Sequence, residues 1–207
     1  MITQPMQQAM TPDAVLADLK SGNARFVRGQ VTDQDWLAQA EATARDGQYP
    51  KAIVLGCVDS RVPVEVVFDQ GIGDLFVGRV AGNFENVDML GSMEFSTKLA
   101  GSKVIVVLGH TSCGAVKGAI ANAQLGNLTA TLENIQPAVA VATASMPGRS
   151  GKDPAFVQRV VVENVRATVR DIQQRSPVIA EMVASGDLKV VGAWYDIATG
   201  KVHWMGN

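Results

Sequence analysis

Apolar residues along this chain gather into short unbroken runs rather than alternating with polar ones. Residues 52–58, 75–80 and 103–109 are each of strand length and almost wholly apolar. Such a run belongs to a strand covered on both faces, the condition inside a parallel sheet. Between the second and third runs, Leu90, Met93, Phe95 and Leu99 fall at helical spacings, predicting a crossover helix over 89–100. Strand, helix, strand is a right-handed parallel unit.

The flanks carry helix punctuation. Thr11, Pro12 and Asp13 read as an N-cap, a first helical position and a first-turn acid, predicting a helix to about Lys20, ended by Ser21 and Gly22. Asp153 and Pro154 open a longer helix whose apolar stripe is Val157, Val160, Val161, Val165, Val169 and Ile172. Its wet face is Arg159, Glu163, Arg166 and Arg170, and Ser176 and Pro177 end it. Residues 188–197 read as a last strand, which turns through Ala198, Thr199 and Gly200 into a short return over 201–205.

The expected architecture is therefore α/β: a mostly parallel central sheet of about four parallel strands plus an antiparallel edge strand, flanked by helices, with an N-terminal helical arm. A chain of 207 residues suits one domain. The arm is expected over 1–50 and the catalytic core over 51–207.

Charge and hydropathy narrow the function. A formal net charge of -2, from 18 basic and 20 acidic residues, gives no broad positive field, so no nucleic acid partner is expected. No run of about 18 apolar residues occurs, so no membrane span is expected. Residues 1–10 hold no Lys or Arg and no apolar run. The expected compartment is the cytoplasm, with the periplasm as the alternative if a leader has been removed. Residues 118–148 contain one charged side chain, Glu133, and long Ala-rich stretches, which predicts packing at a subunit interface.

The chemistry gathers at the ends of two strands. Cys57 closes the first and His110 follows the third, where open α/β sheets place their ligands. His110 and Cys113 are separated by two residues, so both side chains of one tight turn reach a single ion, with Cys57 arriving from across the sheet. Thiolate with imidazole points to zinc rather than magnesium or calcium. A structural zinc has four protein ligands and only three are evident here, so the fourth position falls to water or to the carboxylate of Asp59. In an extended segment Asp59 and Arg61 point to the same side, and a bidentate pair between them holds the carboxylate off the metal. Each part alone has a plainer reading: two lone cysteines are more often buried small hydrophobes, and Asp59 with Arg61 could be a surface ion pair. A phosphate loop is excluded, because residues 109–118 lack the Gly-Lys-Ser/Thr ending. Gly114 permits close backbone approach at the metal turn.

Cys57, Asp59, Ser60 and Arg61, followed by His110, Cys113 and Gly114, resemble the beta-class carbonic anhydrases. The likeness extends through Gly22, Asn23, Arg25 and Phe26, then Gly78, Arg79, Gly82 and Asn83, to Tyr195 and Asp196. It implies one zinc per subunit on Cys57, His110 and Cys113, reversible hydration of carbon dioxide to bicarbonate and a proton by zinc-bound hydroxide, and a homodimer that could pair into a dimer of dimers. Asp59 then accepts a hydrogen bond from the hydroxide, and Arg61 holds Asp59. An apolar substrate pocket is implied at Phe76, Ala81, Gly82, Phe95 and Gly114, with Gln48 reaching in from the partner subunit. Some relatives are regulated by bicarbonate in a second pocket of Trp, Arg and Tyr; Arg79 and Tyr195 match, but Val54 stands where the Trp would be, which argues against that regulation. The rivals are a hydrolase of carbonyl sulfide or carbon disulfide on the same scaffold and a non-catalytic zinc or bicarbonate sensor. The intact Asp59 and Arg61 speak against both.

Overall fold

The computed structural model describes residues 2–206. The N-terminal arm holds α1 (Gln4–Ala9), α2 (Pro12–Val27) and α3 (Trp36–Asp46). The core then runs β1 (Ala52–Gly56), α4 (Val64–Val67), β2 (Leu75–Arg79), α5 (Val87–Glu94) with a π-turn at Phe95–Leu99, and β3 (Val104–His110). It continues through α6 (Gly114–Ile120), α7 (Gly126–Glu133), α8 (Gln136–Ser145), α9 (Pro154–Arg175) and α10 (Pro177–Ala184) to β4 (Lys189–Tyr195) and β5 (Val202–Trp204).

The strands form one sheet in the order β2-β1-β3-β4-β5, parallel except for the β4–β5 pair. Every residue of β1 and of β3 is buried, as their unbroken apolar sequences require. Alternate residues feed two layers. Val54, Val106, Leu108 and Ala193 meet α2 and α4 through Val15, Leu19 and Phe68, while Ile53, Leu55, Ile105 and Val107 meet α5, α9 and α10 through Met93, Val165, Ile172 and Ile179.

The order of connection creates the site. From β1 the chain crosses to β2 on one side, and from β3 it crosses to β4 on the other. The carboxyl ends of β1 and β3 therefore sit at a topological switch point, where departing loops diverge and leave a crevice.

Three expectations need correction. The arm helix does not stop at Gly22 but continues to Val27, because Gly22 lies against α4 so closely that a Cβ there would come 1.9 Å from the Phe68 carbonyl oxygen. Gly22 marks a close approach rather than a helix end. Asn23 beside it is buried and clips three elements together: its Nδ2 donates to the carbonyls of Val67 (3.0 Å) and Gly200 (2.9 Å), and its Oδ1 accepts from the Val202 N–H (2.8 Å). Second, Ser176 does end α9, but its hydroxyl then caps α10 by accepting from the Ile179 N–H, so Pro177 starts a helix that periodicity alone did not suggest. Third, the charge-poor stretch breaks into α7 and α8, and the inner face of α8, Ala138 and Ala142, packs inside this chain with Val160 of α9. Its outer face leaves Val141 half exposed.

Candidate metal centre

Strand register brings the ligands together. Gly56 of β1 lies opposite Leu108 of β3, so Cys57, one residue on, is at the level of the strand end that carries His110. Beyond His110 the chain turns at once, with Ser112 in the left-handed region at φ 56°, and Cys113 returns as the N-cap position of α6. The donor atoms of Cys57, His110 and Cys113 all lie within 4.8 Å of one another, and all three residues are buried.

The donors fit a small tetrahedral cation. The two sulfurs are 3.9 Å apart, and two thiolates each ~2.3 Å from one tetrahedral ion stand ~3.8 Å apart. His110 Nδ1 meets the Thr111 carbonyl oxygen at 2.9 Å, which fixes the ring and assigns the proton to Nδ1. Its Nε2 is then a bare acceptor, enclosed and without a hydrogen-bond partner, pointing at the thiols. The sulfur contact also separates the two cysteines. Cys57 is drawn down, first by Cys113 and then by His110 and the Gly82 N–H, while Cys113 is pushed up by the same contact and by burial. The contact favours one thiolate in this pair over two, and a bound divalent cation would favour both as thiolates.

Asp59 and Arg61 stand at the mouth. Arg61 donates Nε to Asp59 Oδ1 at 2.9 Å and Nη2 to Oδ2 at 2.7 Å, and its backbone N–H reaches Oδ1 at 3.0 Å. This guanidinium holds the Asp59 carboxyl well below the usual carboxylate range. Oδ2 is 3.8 Å from His110 Nε2, close to the three donors but outside their group. The arrangement is a three-donor set with an open position and an anchored carboxylate beside it.

The loop after β2 builds the rim, and its residues do more than the sequence suggested. Arg79 donates Nε to the Cys57 carbonyl at 2.8 Å and Nη2 to the Asp59 carbonyl at 2.6 Å, so it splints the segment that carries ligand and carboxylate. Tyr195 is buried, and Val54 lies wholly inside the sheet. Gly82 directs its N–H at Cys57 Sγ (3.4 Å) from φ 92°, and a Cβ there would come 2.5 Å from Ile135 Cδ1. Its carbonyl accepts from Asn164 Nδ2 at 2.8 Å. Asn164 is a buried polar residue in the middle of α9, and it escaped notice because nothing in the sequence links it to a loop 82 residues away. A buried Asn on an otherwise apolar helix stripe was the available signal.

The expected pocket residues divide. Ala81 and Gly82 lie on this rim, and Gly114 follows Cys113 with open space where a Cβ would stand. Phe76 and Phe95 pack edge to face, with centroids 6.0 Å apart, in an open groove of about 780 Å³ along the free edge of β2. None of the three metal-type donors lines that groove, so within one chain these rings do not wall the metal position. Gln48 is exposed and sits beside Gly73 at the entry to β1 and β2, the far end of the sheet from its own Cys57.

Similarity to known proteins agrees with this geometry. A family model described as carbonic anhydrase matches residues 52–202. The chain is 37% identical over 197 residues to a carbonic anhydrase of Mycolicibacterium smegmatis, covering 93% of this chain and 92% of that protein. It is 38% identical over 195 residues to carbonic anhydrase 2 of Mycobacterium tuberculosis, covering 92% and 91%. Among solved structures, a beta-carbonic anhydrase of Aspergillus fumigatus superposes with a TM-score of 0.75 at 26% identity, covering 93% of this chain and 89% of that one.

Proposed function

Because this chain belongs to the carbonic anhydrase family, in its beta class, we propose that it hydrates carbon dioxide reversibly to bicarbonate and a proton at a zinc ion held by Cys57, His110 and Cys113. The observation that carries the proposal is the enclosed His110 Nε2, without a partner and aimed at two thiols whose separation suits one tetrahedral ion. When bound there, zinc supplies Lewis acidity that makes water a nucleophile near pH ~7.

The protein's own groups supply position. Arg61 fixes Asp59, and the Asp59 carboxylate, left with acceptor capacity, takes a hydrogen bond from the attacking water and turns its lone pair toward carbon dioxide. Arg79 and the Gly82 N–H hold the backbone and sulfur of Cys57, so neither ligand nor carboxylate drifts during turnover. The expected result of stopped-flow assay is fast hydration by zinc-replete protein, rising with pH through ~7. Zinc-replete protein inactive at every pH would sink the proposal.

The working unit in this reading is a homodimer. Val87 of α5 and Phe95 of the π-turn are more than half exposed along the unpaired edge of β2, and Leu99 of the same turn is more exposed still. An exposed Gln48 at the far end of the sheet from its own metal centre is free to serve a neighbour's. Sedimentation at twice the monomer mass is expected, and Leu99→Glu should shift it to monomer. A fully active wild-type monomer would overturn the dimer.

A further inference from the structure

The buried stripe of α9 is interrupted by one amide. Asn164 lies among Val160, Val161 and Val165 and is as deeply enclosed as they are. The placement is unfavourable on two counts, because asparagine is a weaker helix former than alanine or leucine and its polar atoms leave water. Asn164 Nδ2 meets neither its own helix nor another side chain. It donates to the Gly82 carbonyl oxygen at 2.8 Å, on the loop that forms the metal rim.

Gly82 turns its other polar group to the metal centre, with its N–H 3.4 Å from Cys57 Sγ. Nothing intrinsic to the residue keeps it there, since φ 92° is a conformation that glycine enters and leaves freely. Its freedom is limited from outside. The Asn83 N–H closes the turn onto the Val80 carbonyl at 3.0 Å, Ile135 fills the space where a Cβ would stand, and Asn164 grips the carbonyl. Apart from Cys57 itself, Asn164 is the only side chain among the described residues that is hydrogen-bonded to the backbone of residues 80–83. An amide N–H aimed at a thiolate draws charge from the sulfur and so weakens its donation to a metal.

On the reading that Cys57 is a metal ligand, we propose that Asn164 is a positioning residue of the metal centre: by holding Gly82 it keeps the Gly82 N–H on the Cys57 sulfur, and so sets how much charge that sulfur gives the metal. The relay is two hydrogen bonds long, from Asn164 Nδ2 to the Gly82 carbonyl and from the Gly82 N–H to Cys57 Sγ. It joins the middle of α9 to a ligand at the end of β1.

The test uses the full chain loaded with cobalt(II) in place of zinc, whose thiolate-to-metal charge-transfer absorption reads sulfur donation directly. Asn164→Ala removes the donor and suits a helix best. Asn164 lines a small cavity of about 40 Å³, enough for one water at ~30 Å³, so Asn164→Leu is added to leave less room for a water in the donor's place. The band is expected to move to longer wavelength, most in Asn164→Leu, and cobalt affinity to fall about 10–100-fold. Ile172→Ala is the control for lost packing: it lies about two turns further along α9, buried with Ile105 and Val107 and away from the loop, and its band should match wild type. A band unmoved in both Asn164 variants, or in Asn164→Ala if the leucine variant does not fold, overturns the positioning role, as does an equal shift in Ile172→Ala. A wild-type protein with no thiolate band removes the ligand assignment itself, and this inference with it.

Discussion

Cys113→Ser is expected to fold and yet to purify almost without zinc. The serine hydroxyl is nearly isosteric with the thiol and Cys113 lies at the buried head of α6, so the packing around it changes little. What changes is the donor: an alkoxide is not available at neutral pH, so one of three protein ligands is lost. Removing an outer partner of a metal ligand costs 10–100-fold in affinity, about 1.4–2.7 kcal/mol, and removing a ligand should exceed that. Metal analysis by plasma emission, with calorimetric zinc titration, reads the loss directly. Stoichiometric zinc with normal turnover in this variant would dismiss Cys113 as a ligand.

Asp59→Asn should separate metal from catalysis in the opposite way. Asp59 lies outside the donor group, so zinc content is expected to stay near one per chain. The amide is isosteric, but it loses one acceptor oxygen and the negative charge that anchors Arg61, and its NH₂ can turn toward the open position. A decrease of about 10²-fold or more in kcat/KM is expected, the lower range for a positioned proton acceptor. Full turnover would reduce the Asp59–Arg61 pair to a structural tie. Loss of zinc would make Asp59 a resting ligand.

The fold was legible where burial on both faces writes a continuous apolar run, as in β1 and β3, and where capping chemistry is explicit, as at Thr11 and Asp153. It was misread where a residue's meaning depends on a distant partner. Gly22 reads locally as a helix stop, but its missing side chain is what lets α2 lie on α4. The three donors were legible because their spacing has few other uses, and the Asp59–Arg61 pair because it is local. Arg79, Gly82 and Asn164 were not legible as supports of Cys57, since their contacts exist only after the sheet is assembled. Phe76 and Phe95, which a motif match assigns to a substrate pocket completed by a partner subunit, lie in one chain along the open edge of β2.

The switch-point position of the donors also bears on how the chain folds. Cys57 and His110 are separated by about fifty residues, a span that includes α4, β2 and α5. A metal bridging them fastens that span into a ring, and a cross-link closing a ring of this size removes about 4 kcal/mol of chain entropy from the unfolded state in the simple chain-entropy treatment. Loading and folding thus become one equilibrium, with each hundredfold excess of free metal over Kd adding about 2.7 kcal/mol to the folded side. On the proposed function, a zinc held there would be a clasp as well as a catalyst, and removing it with a chelator is expected to lower the melting temperature.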